Sequence, residues 1–151
     1  MKNLNDYLGI VGIAGCGNIG RVYNKILKEW GLQPFIADPI FEKKDFIDYR
    51  GLENCDTIII SLPTEMHKEA IEFFSSKPRV LLVEKPLCLN YSESKKALRI
   101  IEESPLRAMC GLTGLYHPEF KAMYGHLKDV GKIKKVKEKL HEANPGLKKY
   151  L

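Results

Sequence analysis

The chain has 151 residues, 44% of them hydrophobic, which suits one domain with a single core and is short for a dinucleotide-binding half plus a substrate domain. Its net charge is +5, but eight lysines lie between Lys128 and Lys149 and the remainder is nearly neutral. No zinc spacing, aromatic RNA-binding pattern or helix-turn-helix signature accompanies those lysines, so they read as protection of a solvated strand edge and no nucleic-acid partner is expected.

Cys16, Cys55, Cys88 and Cys110 are too scattered for a zinc site or a redox dithiol, so no metal is expected. The start of the chain lacks the apolar stretch of a signal peptide, and no apolar run reaches the roughly 18 residues of a membrane span. The expectation is a cytoplasmic protein with no membrane partner.

Apolar runs of strand length alternate with segments of helical period, the pattern of parallel strands joined by crossover helices. The first strand is expected over 8–14 and a helix over 18–30, with Ile19, Val22, Tyr23, Ile26, Leu27 and Trp30 on one face and Gly31 as its stop. Strands follow at 34–38 and 57–62; the 18 residues between them leave room for a short helix only. Ile58, Ile59 and Ile60 read as buried on both faces. A helix over 65–74, a strand over 79–83, a helix over 92–103 and a strand over 107–112 complete the alternation. Ser92 opens its helix weakly, because Lys95 stands where a capping box has an acid. A helix beginning at Pro118 is expected to reach Lys128, and 131–140 resembles an amphipathic strand imperfectly. The domain is placed over 1–130, and 131–151 is either the start of a second domain or a basic tail.

Chemistry enters at Gly15-Cys16-Gly17-Asn18-Ile19-Gly20. A Gly-x-Gly-x-x-Gly pattern alone is weak, but here it joins an apolar strand to an amphipathic helix. Gly15 permits the tight turn, Gly17 lets backbone approach a pyrophosphate, and Gly20 lets helix and strand pack closely. The helix N-terminus offers its free N–H groups and positive dipole end to phosphate. Asp38, 18 residues beyond Gly20 at the end of the second strand, can accept hydrogen bonds from both adenosine ribose hydroxyls. That favours NAD over NADP, although Lys43 and Lys44 leave a 2′-phosphate open, and a plain strand-end turn with Pro39 is the non-functional reading of Asp38. The fold class is therefore α/β, a Rossmann doubly wound parallel sheet in a single domain.

The stretch from Asp56 through Ser61-Leu62-Pro63-Thr64 to His67, followed by Val80-Leu81-Leu82-Val83-Glu84-Lys85-Pro86-Leu87, resembles the glucose-fructose oxidoreductase, inositol dehydrogenase and MocA family over about residues 8–136. Its most specific mark is the Glu84-Lys85-Pro86 triplet, taken as the end of the fifth strand of the series. The resemblance implies a cofactor crevice at the carboxyl ends of the strands, lined by Pro63 and Thr64 near the ribose and pyrophosphate, with Ser61, Leu62, Glu84 and Pro86 also at the cofactor. It implies that Lys85 is catalytic, projecting toward nicotinamide and substrate hydroxyl from a cis Lys85–Pro86 bond. On its residues alone, Lys85 suits stabilisation of a developing alkoxide, or is a surface lysine paired with a neighbouring carboxylate.

By the same resemblance Glu84 holds the turn and His67 packs against or hydrogen-bonds the cofactor loop, more a structural group than a proton carrier. His117, in Leu115-Tyr116-His117-Pro118, matches an aromatic-x-Pro turn that faces substrate in the family, but Leu115 replaces its frequent arginine. The aspartate and histidine of the family's second domain cannot be assigned. The resemblance thus implies an NAD-binding oxidoreductase domain, with NADP open, whose complete relatives act on the hydroxyl carbon of a sugar, cyclitol or similar small molecule. The alternative is a non-catalytic NAD(H)-binding or regulatory module, working as a homodimer or with a partner chain.

Overall fold

The computed structural model describes residues 4–126, which divide after Leu112 into two compact units. The lysine-rich stretch and the strand expected over 131–140 lie outside the described residues.

In the first unit, β1 (Val11–Ala14), β2 (Phe35–Ala37), β3 (Thr57–Ile60), β4 (Val80–Val83) and β5 (Arg107–Cys110) form one parallel sheet in the order β2-β1-β3-β4-β5. α2 (Asn18–Glu29), α3 (Thr64–Phe74) and α4 (Tyr91–Glu102) are the crossovers. Strand order reverses at β1, and the change of side opens a crevice beyond the carboxyl ends of the strands.

The Glu84-Lys85-Pro86 triplet follows the fourth strand in chain order and not the fifth. No additional strand forms between β2 and β3, because that connection folds back along the outer edge of β2. The Ile36 carbonyl accepts from the N–H groups of Asp45 and Phe46 at 2.8 and 3.0 Å, and Ala37 bridges Phe46 in parallel. The short helix expected there is a single 3-10 turn, Tyr49–Leu52, capped by the Asp48 carboxylate accepting from the Arg50 N–H at 2.8 Å.

Most strands are shorter than their apolar runs. At the start of the chain a helix, α1 (Leu4–Leu8), occupies part of the expected first strand. Gly9 then turns the backbone at φ +59, and Asp56 takes the Ile10 N–H at 2.8 Å, so ladder pairing begins only at Val11. α4 starts before Ser92, because Asn90 is its cap: Oδ1 accepts from the Glu93 N–H at 3.0 Å.

The three isoleucines of β3 split between two cores, as a doubly covered strand must. Ile58 and Ile60 join Leu81, Val83, Ala70, Ile71, Phe74 and Ala97 under α3 and α4, while Ile59 joins Val11, Ile13, Leu27 and Leu32 under α2. The expected apolar face of α2 is only partly used: Leu27 is buried and Tyr23 and Ile26 half-buried, while Ile19, Val22 and Trp30 are exposed. The second unit, described by itself, has a 3-10 turn, Thr113–Tyr116, and α5 (Pro118–His126), where Phe120 stacks on Tyr124 at 6.4 Å.

Phe74 is wholly buried, edge-on to Phe73 at 5.1 Å and beneath the Arg79 guanidinium at 5.3 Å. Phe74→Ala should lower unfolding stability by about 3–5 kcal/mol, read as a drop in urea midpoint at unchanged slope.

Candidate functional site at the carboxyl ends of the strands

The turn after β1 is built on close approach. Gly15 has φ +87, and a Cβ there would sit 2.6 Å from the Ser61 carbonyl oxygen. A Cβ on Gly20 would overlap the Gly15 carbonyl oxygen, so α2 can begin this close to the strand only with glycine at that position. Gly17, the N-cap of α2, has nothing among the described residues within 4 Å of where a Cβ would lie. No side chain caps the helix and no acid occupies its first turn, while the Gly17 carbonyl accepts from the Arg21 N–H at 3.0 Å. The first N–H groups of α2, from Asn18, Ile19 and Gly20, are thus donors without an intrahelical partner, at a helix start that is open at Gly17 and has the positive end of the helix dipole behind it. This arrangement fits an anionic diphosphate.

Ser61 and Cys16 serve the turn itself. The Ser61 hydroxyl donates to the Gly15 carbonyl at 2.6 Å. Cys16 has a buried thiol, pushed up by that burial and by the nearby Asp38 charge, and its N–H donates to Asp38 Oδ2 at 2.7 Å. Asp38 Oδ1 accepts from the N–H groups of Ile40 and Phe41, both at 2.8 Å. Burial works against the charged form of Asp38, but the donors from Cys16, Phe41 and Ile40, with the Lys44 ammonium, outweigh it and hold the carboxyl below its ordinary value. Asp38 is thereby an ionised strand-end cap whose two oxygens accept from the glycine turn and from the loop after it. Lys44 is spoken for: its ammonium donates to the carbonyls of Pro39 and Phe41 at 3.2 and 3.3 Å.

The loops after β3 and β4 are tied by His67, which lies in the first turns of α3 and is 1% exposed. Its Nε2 lies 2.9 Å from the Leu62 carbonyl, and its Nδ1 lies 3.1 and 3.2 Å from those of Pro86 and Leu87. The ring therefore straps the Leu62-Pro63-Thr64 segment to the Lys85-Pro86 turn from beneath, a structural task. Pro63 is exposed and Thr64 half-buried at the start of α3, while Leu62 packs partly into the core.

Glu84 and Lys85 point apart. Lys85 and Pro86 are exposed and joined by a cis bond, whereas Glu84 is buried. Glu84 Oε1 accepts from the Tyr23 hydroxyl at 2.5 Å and Oε2 from the Lys85 N–H at 3.1 Å. Burial first, then the Glu84 hydrogen bond and charge, push the Tyr23 phenol well above its usual range. Among the described residues no carboxylate forms an ion pair with Lys85.

Tyr23 is the participant that periodicity alone assigns to plain core; the available signal was that a tyrosine on a buried face needs an acceptor. Arg21 is the other: its Nε donates to the Cys16 carbonyl at 3.2 Å and its guanidinium lies over Phe41 at 5.3 Å, bracing the turn against the loop after Asp38. His117, whose side chain is exposed with Nδ1 4.0 Å from Glu119, belongs to the second unit.

Because the Asp38 carboxyl is held below its unfolded value, its contribution to stability is present above that value, 3.8, and is lost as pH falls through the lower folded one. Asp38→Asn should therefore flatten the acid limb of a melting-temperature profile, with the loss of stability at neutral pH shrinking as the wild type is acidified.

Residues 39–112 match the family model described as "Oxidoreductase family, NAD-binding Rossmann fold", Gfo/Idh/MocA. An inositol 2-dehydrogenase of Rhizobium meliloti (strain 1021) is 24% identical over 141 residues, covering 83% of this chain and 43% of that protein. The crystal structure of myo-inositol 2-dehydrogenase from Lactobacillus plantarum superposes with a TM-score of 0.69 at 20% identity, over 82% of this chain and 42% of that one. The WlbA dehydrogenase from Bordetella pertussis, solved in complex with NADH and UDP-GlcNAcA, gives 0.68 at 14% identity, over 79% and 41%. The chain spans less than half the length of these relatives. The glycine turn and Asp38 precede the matched segment, and the fold supplies them at the same crevice. Over the matched residues the chain is similar to the NAD-binding Rossmann domain of Gfo/Idh/MocA oxidoreductases, and its fold is theirs.

Proposed function

We propose that this domain holds NAD(H) for a protein that interconverts a hydroxyl and a carbonyl on a sugar, cyclitol or similar small molecule. The observation that carries the reading is convergence: the open N-terminus of α2, the ionised Asp38 and the exposed Lys85 all end on the carboxyl side of one parallel sheet. Gly17, Asn18, Ile19 and Gly20 would bind the pyrophosphate through backbone N–H groups. Asp38 would accept from the adenosine ribose hydroxyls and, being charged, disfavour a 2′-phosphate; Lys44 is engaged with loop carbonyls, which supports NAD over NADP. Pro63, Thr64 and Pro86 would flank the cofactor. The nicotinamide, when bound, supplies the hydride acceptor or donor. Lys85 would stabilise the charge that develops on the substrate oxygen, and a separate base would handle the proton.

Among the described residues no helix is long and apolar enough to cross a membrane. The four cysteines are free, in keeping with a reducing cytoplasmic setting. The expected partners are a small-molecule substrate and a second protein surface, whether another copy or a different chain.

Millimolar NADH should raise the melting temperature of the purified chain, with NADPH raising it less; no shift with either removes the reading. In the complete protein, Lys85→Ala should leave NADH affinity nearly intact and cut kcat by about 10²–10⁴-fold. NADH binding with no turnover on a panel of polyols and sugars would instead favour a non-catalytic NAD(H) module.

A further inference from the structure

The buried Glu84 carboxylate stands next in sequence to the lysine on which the proposed chemistry depends. A glutamate beside a lysine at an exposed turn would ordinarily be free to pair with it, neutralising the ammonium and swinging its side chain aside. Here Glu84 is 8% exposed and both its oxygens are committed, one to the Tyr23 hydroxyl of α2 and the other to the Lys85 N–H. The pocket is cut to fit: a Cβ on Gly111, just after β5, would meet Glu84 Oε1 at 3.0 Å, so only glycine leaves the carboxylate its full room. Three elements thus close around one side chain.

We propose that Tyr23 is a positioning residue for Lys85: by donating to Glu84 it holds that carboxylate beneath the turn, so that the Lys85 ammonium stays unpaired and available to a substrate oxygen. The second half of this statement rests on the reading of Lys85 under the proposed function; the first half does not. Tyr23 is suited to the task because burial and the adjacent carboxylate both keep its phenol protonated, and therefore a donor. Its ring packs against the buried cluster of Val11, Ile13, Leu27, Leu32 and Ile59 under α2, which fixes the hydroxyl in place.

The test uses the full chain and reads the rate at which a soluble amine-acylating reagent labels Lys85, measured by mass spectrometry at fixed pH. Tyr23→Phe keeps the packed ring and removes only the donor. Glu84, released, should capture the Lys85 ammonium, and an ammonium paired with a carboxylate gives up its proton less readily, so labelling should slow several-fold. In Tyr23→Phe/Glu84→Gln no charge remains to capture Lys85, and labelling should return to the wild-type rate. Glu84→Gln alone should label at the wild-type rate or faster. A folded Tyr23→Phe chain that labels Lys85 like wild type, or a double variant no faster than the single one, overturns the proposal. So does slower labelling in Glu84→Gln, which decides the matter if Tyr23→Phe does not fold. NADH binding, followed on the same samples, separates the two readings: its absence from wild type removes the cofactor assignment while the labelling series still judges the Tyr23–Glu84 contact.

Discussion

The distance between the carbonyl of Gly15 and the backbone of Gly20 governs the rest of the first unit. No side chain fits there, and the Ser61 hydroxyl closes the same contact from the neighbouring strand. With helix and turn drawn together, α2 begins right at the sheet edge and points its free N–H groups across it. The same closeness lets Tyr23, in the second turn of that helix, reach beyond β1 and β3 to the end of β4. One steric condition thus supports both the anion-binding end of the helix and the carboxylate clamp beneath the Lys85 turn.

Asp38 and Glu84 show how environment divides one functional group between two tasks. Both end strands and both accept backbone hydrogen bonds. Asp38 is only partly covered, and three N–H donors secure its charge. Glu84 is buried, and a phenol supplies the donor that water cannot. A buried acceptor without such a partner is expensive, which explains why the tyrosine lies where an aliphatic residue would satisfy the helix pattern equally well.

The strand-helix alternation, the glycine turn and Asp38 were legible in the sequence because each follows from local rules: apolar period, backbone freedom, and a fixed offset along one crossover. Boundaries were less so. Ile10, Leu62 and Leu112 are as apolar as their neighbours yet fall outside the ladder, since pairing ends where a partner strand ends. The cap of α4 at Asn90 was passed over because Ser92 offered a similar signal two residues later. Numbering the Glu84-Lys85-Pro86 strand as fifth failed because the stretch before β3 follows the β2 edge with one bridge and forms no strand of its own. Within the site, Lys85 and Pro86 came from the triplet, but the inward course of Glu84, its tie to Tyr23, and the strap that His67 makes between two loops are contacts across 61 and 19 residues. No periodicity reports those.

The empty surroundings of Gly17 set it apart from its two companions in the turn. Gly15 and Gly20 answer to the protein, whose own backbone would collide with a larger residue. Gly17 answers to nothing among the described residues. An alanine or serine there would leave the fold its hydrogen bonds and packing, so any requirement for glycine at this position must be imposed from outside, by whatever presses against the helix start. Of the residues of the turn, it records the shape of the guest and not the needs of the host.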